Sequence, residues 1–224
     1  MKEVQTISTW QRALWLLNLV YYILCGSQTI TLLWVFFDNN DSNSTMLWHL
    51  VLCSMAYIPL MAVAIISFSK DNLPTLFVSR TRIYAIHGCL LTISFLSVTI
   101  GISLIINSKI KNGRTHFQSI HAILGLTSWI LVTCAVFLGI VAKDTTKFSQ
   151  YIKPVLAKFL HNLIGISGFV LGVAAMMYYY KSGHYKTFLS HSAYMASYFI
   201  SGYIIIWSLL AAFQSFYVQF KSLI

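Results

Sequence analysis

An all-α bundle of six membrane-spanning helices is the fold class this sequence predicts, and three observations predict it. The chain of 224 residues is 58% hydrophobic and only 9% charged, with a mean hydropathy of +0.73 that a soluble domain would not sustain. Six apolar runs reach the length of about 20 residues needed to cross the hydrocarbon. All five acidic residues, Glu3, Asp38, Asp41, Asp71 and Asp144, fall outside those runs.

The first run, residues 13–37, has only Arg12 directly before it and no cleavage pattern, so it reads as a retained helix and not a signal peptide. The second occupies 47–68, the third 83–106, the fourth 119–142, the fifth 156–180 and the sixth 192–216. The polar breaks between them are short: Asp38 to Thr45, Ser69 to Arg82, Asn107 to Ser119, Lys143 to Lys153 and Lys181 to Ser190. Breaks this short predict a single transmembrane domain over 1–224, with successive helices antiparallel and adjacent.

Counting Lys and Arg on each side of the alternating loops gives orientation. Ten (Lys2, Arg12, Lys70, Arg80, Arg82, Lys143, Lys147, Lys153, Lys158 and Lys221) share the side of both termini, against five (Lys109, Lys111, Arg114, Lys181 and Lys186) opposite. Both termini are therefore expected in the cytoplasm. Two glycosylation sequons, at Asn40 and Asn43, fall in the first loop on the other side. The net charge of +10 does not indicate a nucleic-acid binder, because the basic residues sit in short juxtamembrane loops and form no groove beside stacking aromatics. The lipid bilayer is the partner this composition requires, and a homodimer is compatible with it. Cys25, Cys53, Cys89 and Cys134 all lie inside apolar runs without Cys-x-x-Cys spacing and read as small buried hydrophobes.

Chemistry is carried by four histidines. His49, His87, His121 and His161 each stand near the start of a separate run, at intervals of 38, 34 and 40 residues. Ionisable side chains in a membrane span are costly and mark functional sites. Because successive helices alternate direction, His49 and His121 share one face and His87 and His161 the other. Two facing imidazoles can hold a haem iron from both sides inside a bundle, which makes the second to fifth helices a candidate four-helix di-haem core. With both axial positions filled, the remaining chemistry is one-electron transfer. Small residues follow the histidines: Gly88, Ala122, Gly125, Gly165 and Gly168, with Gly101, Gly139 and Gly172 farther along. They could admit a planar group or simply allow close helix packing. A histidine-dependent divalent-metal transporter or sensor is the rival reading, disfavoured because such conduits add carboxylates to their imidazoles. A helical scaffold whose histidines merely bridge helices is a third.

The segments Trp48-His49-Leu50-Val51-Leu52, Ile86-His87-Gly88, Ser119-Ile120-His121-Ala122-Ile123-Leu124-Gly125 and Phe159-Leu160-His161-Asn162-Leu163-Ile164-Gly165 resemble the helix starts of the cytochrome b561 family. Ser79-Arg80-Thr81-Arg82, His116 and Lys158 make the chain most similar to the cytochrome b561 domain-containing, tumour-suppressor-like branch. The resemblance implies two haem b groups per chain, the cytoplasmic one on His87 and His161 and the other on His49 and His121. It also implies an ascorbate-dependent transmembrane oxidoreductase of internal membranes, the endoplasmic reticulum or vesicles. Cytosolic ascorbate would be the donor, and monodehydroascorbate radical or ferric iron the acceptor. Better-known members carry lysines just before the third-span histidine, where this chain has Ile83, Tyr84, Ala85 and Ile86.

Since ascorbate is an anion, Arg80, Arg82 and Lys158 around the cytoplasmic pair are the candidate docking cations, with Lys70 and Lys153 secondary. Each also serves as an ordinary positive-inside topology residue. Opposite, Arg114 and His116 could meet an acceptor anion or chelated iron. No residue is assigned a catalytic role, and His184 and His191 are assigned none.

Overall fold

The computed structural model describes residues 8–222; Lys2 and Glu3 lie outside the described residues. Every regular element among them is helical: α1 (Thr9–Asn39), α2 (Thr45–Met55), a π-helical turn (Ala56–Met61), α3 (Ala62–Ile66), a short 3-10 turn (Leu73–Thr75), α4 (Arg80–Lys111), α5 (Ile120–Lys143), α6 (Thr145–Phe148), α7 (Pro154–Tyr180), α8 (Gly183–Phe188) and α9 (His191–Lys221). Six spans result, with α2, the π turn and α3 forming the second. The protein is an integral membrane protein. Most spans run a few residues past the apolar runs because their first turns are capped. Ser8, Ser44, Ser119 and Ser190 each accept a backbone N–H of the opening turn on their side-chain oxygen. Pro154 opens α7, where its missing N–H leaves nothing unsatisfied.

Two antiparallel hairpins form the core. α5 packs most extensively on α7, and α2 and the π turn pack on α4. α1 and α9 flank them, touching each other and the second and fifth spans. Adjacent spans are expected to be neighbours, but α4 and α5 meet only sparsely. That correction has a simple cause: each of these helices spends its small-residue face on its hairpin partner. In the second hairpin, a methyl added to Gly168 would lie 3.0 Å from Val132, so α5 and α7 are already in close contact.

The π turn surrounds Pro59, whose ring and missing N–H cannot continue an α-helical ladder. Its widened turn directs Tyr57 across to the second hairpin. The Tyr57 ring fills the place where any side chain at Gly172 would stand. The loop between α3 and α4 is lashed down: Asn72 is fully buried, accepts from the Tyr22 hydroxyl at 2.9 Å and donates to Thr75 Oγ1 at 2.9 Å. Asn18 donates to the Asp71 carbonyl at 2.9 Å while accepting from the Trp207 indole at 3.0 Å. These bonds tie the loop on the side of the termini, and so the first turn of α4, to α1 and α9.

Candidate electron-transfer site

Each of the four histidines sits on one helix and leans on the backbone of that helix's hairpin partner. His49 Nδ1 lies 2.9 Å from the Gly101 carbonyl, His87 Nδ1 3.0 Å from that of Ala64, His121 Nδ1 2.8 Å from that of Ala175, and His161 Nδ1 2.8 Å from that of Ala135. A carbonyl only accepts, so each Nδ1 carries the proton and each Nε2 keeps its lone pair. All four acceptors are Gly or Ala, whose size lets a ring from the next helix approach the backbone. Gly139 contributes in the same way, since a methyl there would stand 3.0 Å from the His161 ring.

The hairpins bring the rings together in two pairs across the gap between them. His49 and His121 have ring centres 6.2 Å apart, and so do His87 and His161; the ring planes stand at 86° and 74°. Two imidazoles sharing a metal through Nε2, at about 2.0–2.1 Å per bond and about 1.1 Å from nitrogen to ring centre, would place those centres about 6.3 Å apart. The pairs therefore fit one metal each, with two protein ligands. Among the described residues no third His, Cys, Asp or Glu joins either pair, so neither resembles a three- or four-ligand zinc site.

Along α4, α5 and α7 the histidine and the small acceptor stand 14 residues apart (His87 and Gly101, His121 and Ala135, His161 and Ala175). That is about four turns, which keeps both on one face and sets the two layers about 21 Å apart. In the second span the interval, His49 to Ala64, is 15; the π turn absorbs the extra residue. Gly88 and Gly125 have nothing within 4 Å of an added methyl, whereas Gly101, Gly139, Gly168 and Gly172 are crowded by neighbours. The first two fit the role of admitting a planar group and the other four that of close packing.

The layers differ in their surroundings. Phe36, Met176, Tyr179 and Tyr180 close around the His49–His121 pair. Beyond them Tyr185 stacks on Tyr180 at 4.6 Å, and burial pushes the Tyr185 phenol above the ordinary tyrosine range. On the termini side, Phe68 lies 5.0 Å from His87 and carries the Arg80 guanidinium 5.7 Å above its ring. Arg82 and Lys158 are exposed on the same side. Arg114 is exposed and His116 half-buried in the loop before α5, where the His116 ring lies tilted against Phe117 with centres 6.0 Å apart. The acceptor carbonyls of Ala64, Ala135 and Ala175 escape a sequence reading; a 14-residue count from His121 and His161 reaches Ala135 and Ala175, but Ala64 stands 15 after His49 and escapes even that count.

Residues 48–187 match the family described as eukaryotic cytochrome b561, a stretch that contains all four histidines. The chain belongs to the cytochrome b561 family. Membership implies haem b. Within the family the chain resembles the domain-containing branch. It is 27% identical over 132 residues to the transmembrane reductase CYB561D2 of Mus musculus and to that of Homo sapiens, covering 58% of each chain. It is 33% identical over 78 residues to the probable transmembrane reductase CYB561D1 of Mus musculus, covering 35% of this chain and 34% of that one. The chain thus spans about 58% of the length of the first two relatives.

Proposed function

We propose that this protein is an ascorbate-dependent transmembrane oxidoreductase. It passes electrons one at a time from cytosolic ascorbate, through two bis-histidine haem b groups, to monodehydroascorbate radical or ferric iron on the far side. The observation that carries the reading is the pair of imidazole couples, each with ring centres 6.2 Å apart and each ring held at Nδ1 by a backbone carbonyl, which leaves its Nε2 lone pair for a metal. His87 and His161 would hold the cytoplasmic haem, and His49 and His121 the other. Bound haem supplies a one-electron carrier at each layer.

The protein's own part is to position and to exclude. With one imidazole from each hairpin committed to each metal, the chain would leave oxygen or substrate no place there. The Nδ1–H to carbonyl bonds fix ring tautomer and orientation, and raise the basicity of the ligating nitrogen. Arg80 is held toward His87 through Phe68, and with Arg82 and Lys158 it offers cations to an ascorbate anion at the cytoplasmic entrance. Arg114 and His116 would receive the acceptor, His116 being able to exchange the proton that accompanies radical reduction. Ten basic residues against five support cytoplasmic termini, and residues 1–224 are read as one domain of an endoplasmic reticulum or vesicle membrane.

The visible spectrum of the purified protein before and after ascorbate tests this. A Soret band, sharp reduced α bands and two haems per chain are expected. A folded but colourless protein would end the proposal.

A further inference from the structure

Halfway between the histidine layers the bundle carries a plane of hydroxyls. Ser94 and Ser128 stand seven residues after His87 and His121, and both are fully buried. Ser94 donates to the Ala56 carbonyl at 2.9 Å and Ser128 to the Gly168 carbonyl at 2.6 Å, each within its own hairpin. Two aromatic side chains cross from one hairpin to the other at this depth. Tyr57, 4% exposed, reaches the Ser128 hydroxyl at 2.6 Å; Ser128 has spent its proton on Gly168, so the phenol donates. Trp129 donates its indole N–H to Thr99 Oγ1 on α4 at 3.0 Å. Both stand eight residues after a histidine of the same pair, Tyr57 after His49 and Trp129 after His121. That is about 12 Å below that layer and about 9 Å from the other. The gap they cross is the one both histidine pairs straddle.

From this we infer that Tyr57 and Trp129 are positioning residues for electron exchange between the layers, their rings forming the bridge across the bilayer midplane. The inference rests on the two-haem reading above. One electron leaves the layer reduced first and arrives at the other. No bond forms or breaks, and phenol and indole keep their protons and stay neutral closed-shell rings throughout. Helix ties alone would need only the hydrogen bonds, which in a membrane contribute about 0.6 kcal/mol each. A bridge needs the rings.

The test uses the holoprotein in detergent, with both haems counted and their midpoint potentials titrated. An electron pulse is delivered and redistribution between layers followed in the α bands. The Tyr57→Leu/Trp129→Leu double variant is expected to redistribute at least about tenfold more slowly, equivalent to about 1.4 kcal/mol of barrier, at unchanged potentials. The Tyr57→Phe/Trp129→Phe variant, which keeps an aromatic ring at each position and loses both ties, is expected to exchange within about threefold of the parent. Parental speed in the leucine variant overturns the bridge while leaving the two-haem reading intact. Slow exchange in the phenylalanine variant overturns the inference; should the leucine double variant fail to fold, the single variants Tyr57→Leu and Trp129→Leu are read instead, each expected to slow exchange, and parental speed in both overturns it. A parent lacking the haem pair overturns both readings.

Discussion

The two hairpins solve the same problem with different backbones. In α5 and α7 an uninterrupted helix runs from histidine to acceptor carbonyl over 14 residues, and glycines let the helices touch. In the first hairpin α4 does the same, but its partner spends 15 residues and a π turn on the same distance. The difference teaches that the fixed quantity is the depth of each carbonyl opposite its imidazole. A helix that carries an extra residue must lose it in a wide turn or let the ring go. The π turn has a second effect: it swings Tyr57 across the gap, which Trp129 crosses from α5 without any break in its helix.

The largest break in this symmetry should come from the histidines themselves. His87→Ala or His161→Ala is expected to remove one haem of two and slow reduction by ascorbate, while His49→Ala or His121→Ala removes the other; a haem count per chain reads both. If either the His87 or the His161 change spared both haems, the pairing would be wrong. Next come the glycines. Gly125→Leu is expected to leave stability within about 0.5 kcal/mol, since nothing stands near it, yet to empty the His121 layer. Gly139→Val should instead push on the His161 ring, destabilise the fold by about 1–3 kcal/mol and weaken only the His87–His161 layer. Thermal melts with haem counts separate the two.

Smaller again, Arg80→Gln is expected to raise the KM for ascorbate about three- to tenfold, or about 0.7–1.4 kcal/mol. The loss should shrink as salt is added, and the haem spectra should not change. Smallest should be deletion of Pro59. It would give the second span the 14-residue interval of the other three and replace the π turn by α-helix, with both haems retained. Loss of the His87 layer on that deletion would mean the π turn supplies more than register.

The six spans and the two histidine couples were legible in the sequence because apolar length and helix alternation are one-dimensional signals. Arg80, Arg82 and Lys158 fall on the side the loop alternation assigns them. What the sequence could not carry was anything resting on the identity of a neighbour. Gly88 and Gly168 look alike in the chain, yet one faces open space and the other Val132. Ala64, Ala135 and Ala175 are chemically silent; they matter through a carbonyl every residue has. Phe68 joins Arg80 to His87 only because the loop after α3 is tied to α1 and α9. The π turn around Pro59 and the slot that Gly172 leaves for Tyr57 were not read from the sequence, because the slot is formed by a helix more than a hundred residues away.

Each histidine couple takes one ring from each hairpin, and apart from Tyr57 and Trp129 few polar ties join the two halves. The two halves are thus tied by hydrogen bonds at the waist, and a metal gripped by either couple would act as a buckle. Any ligand bound by the closed form alone adds to its stability in proportion to the logarithm of its concentration. Cells short of porphyrin should therefore hold less of this protein, through faster turnover of the less stable unliganded chain.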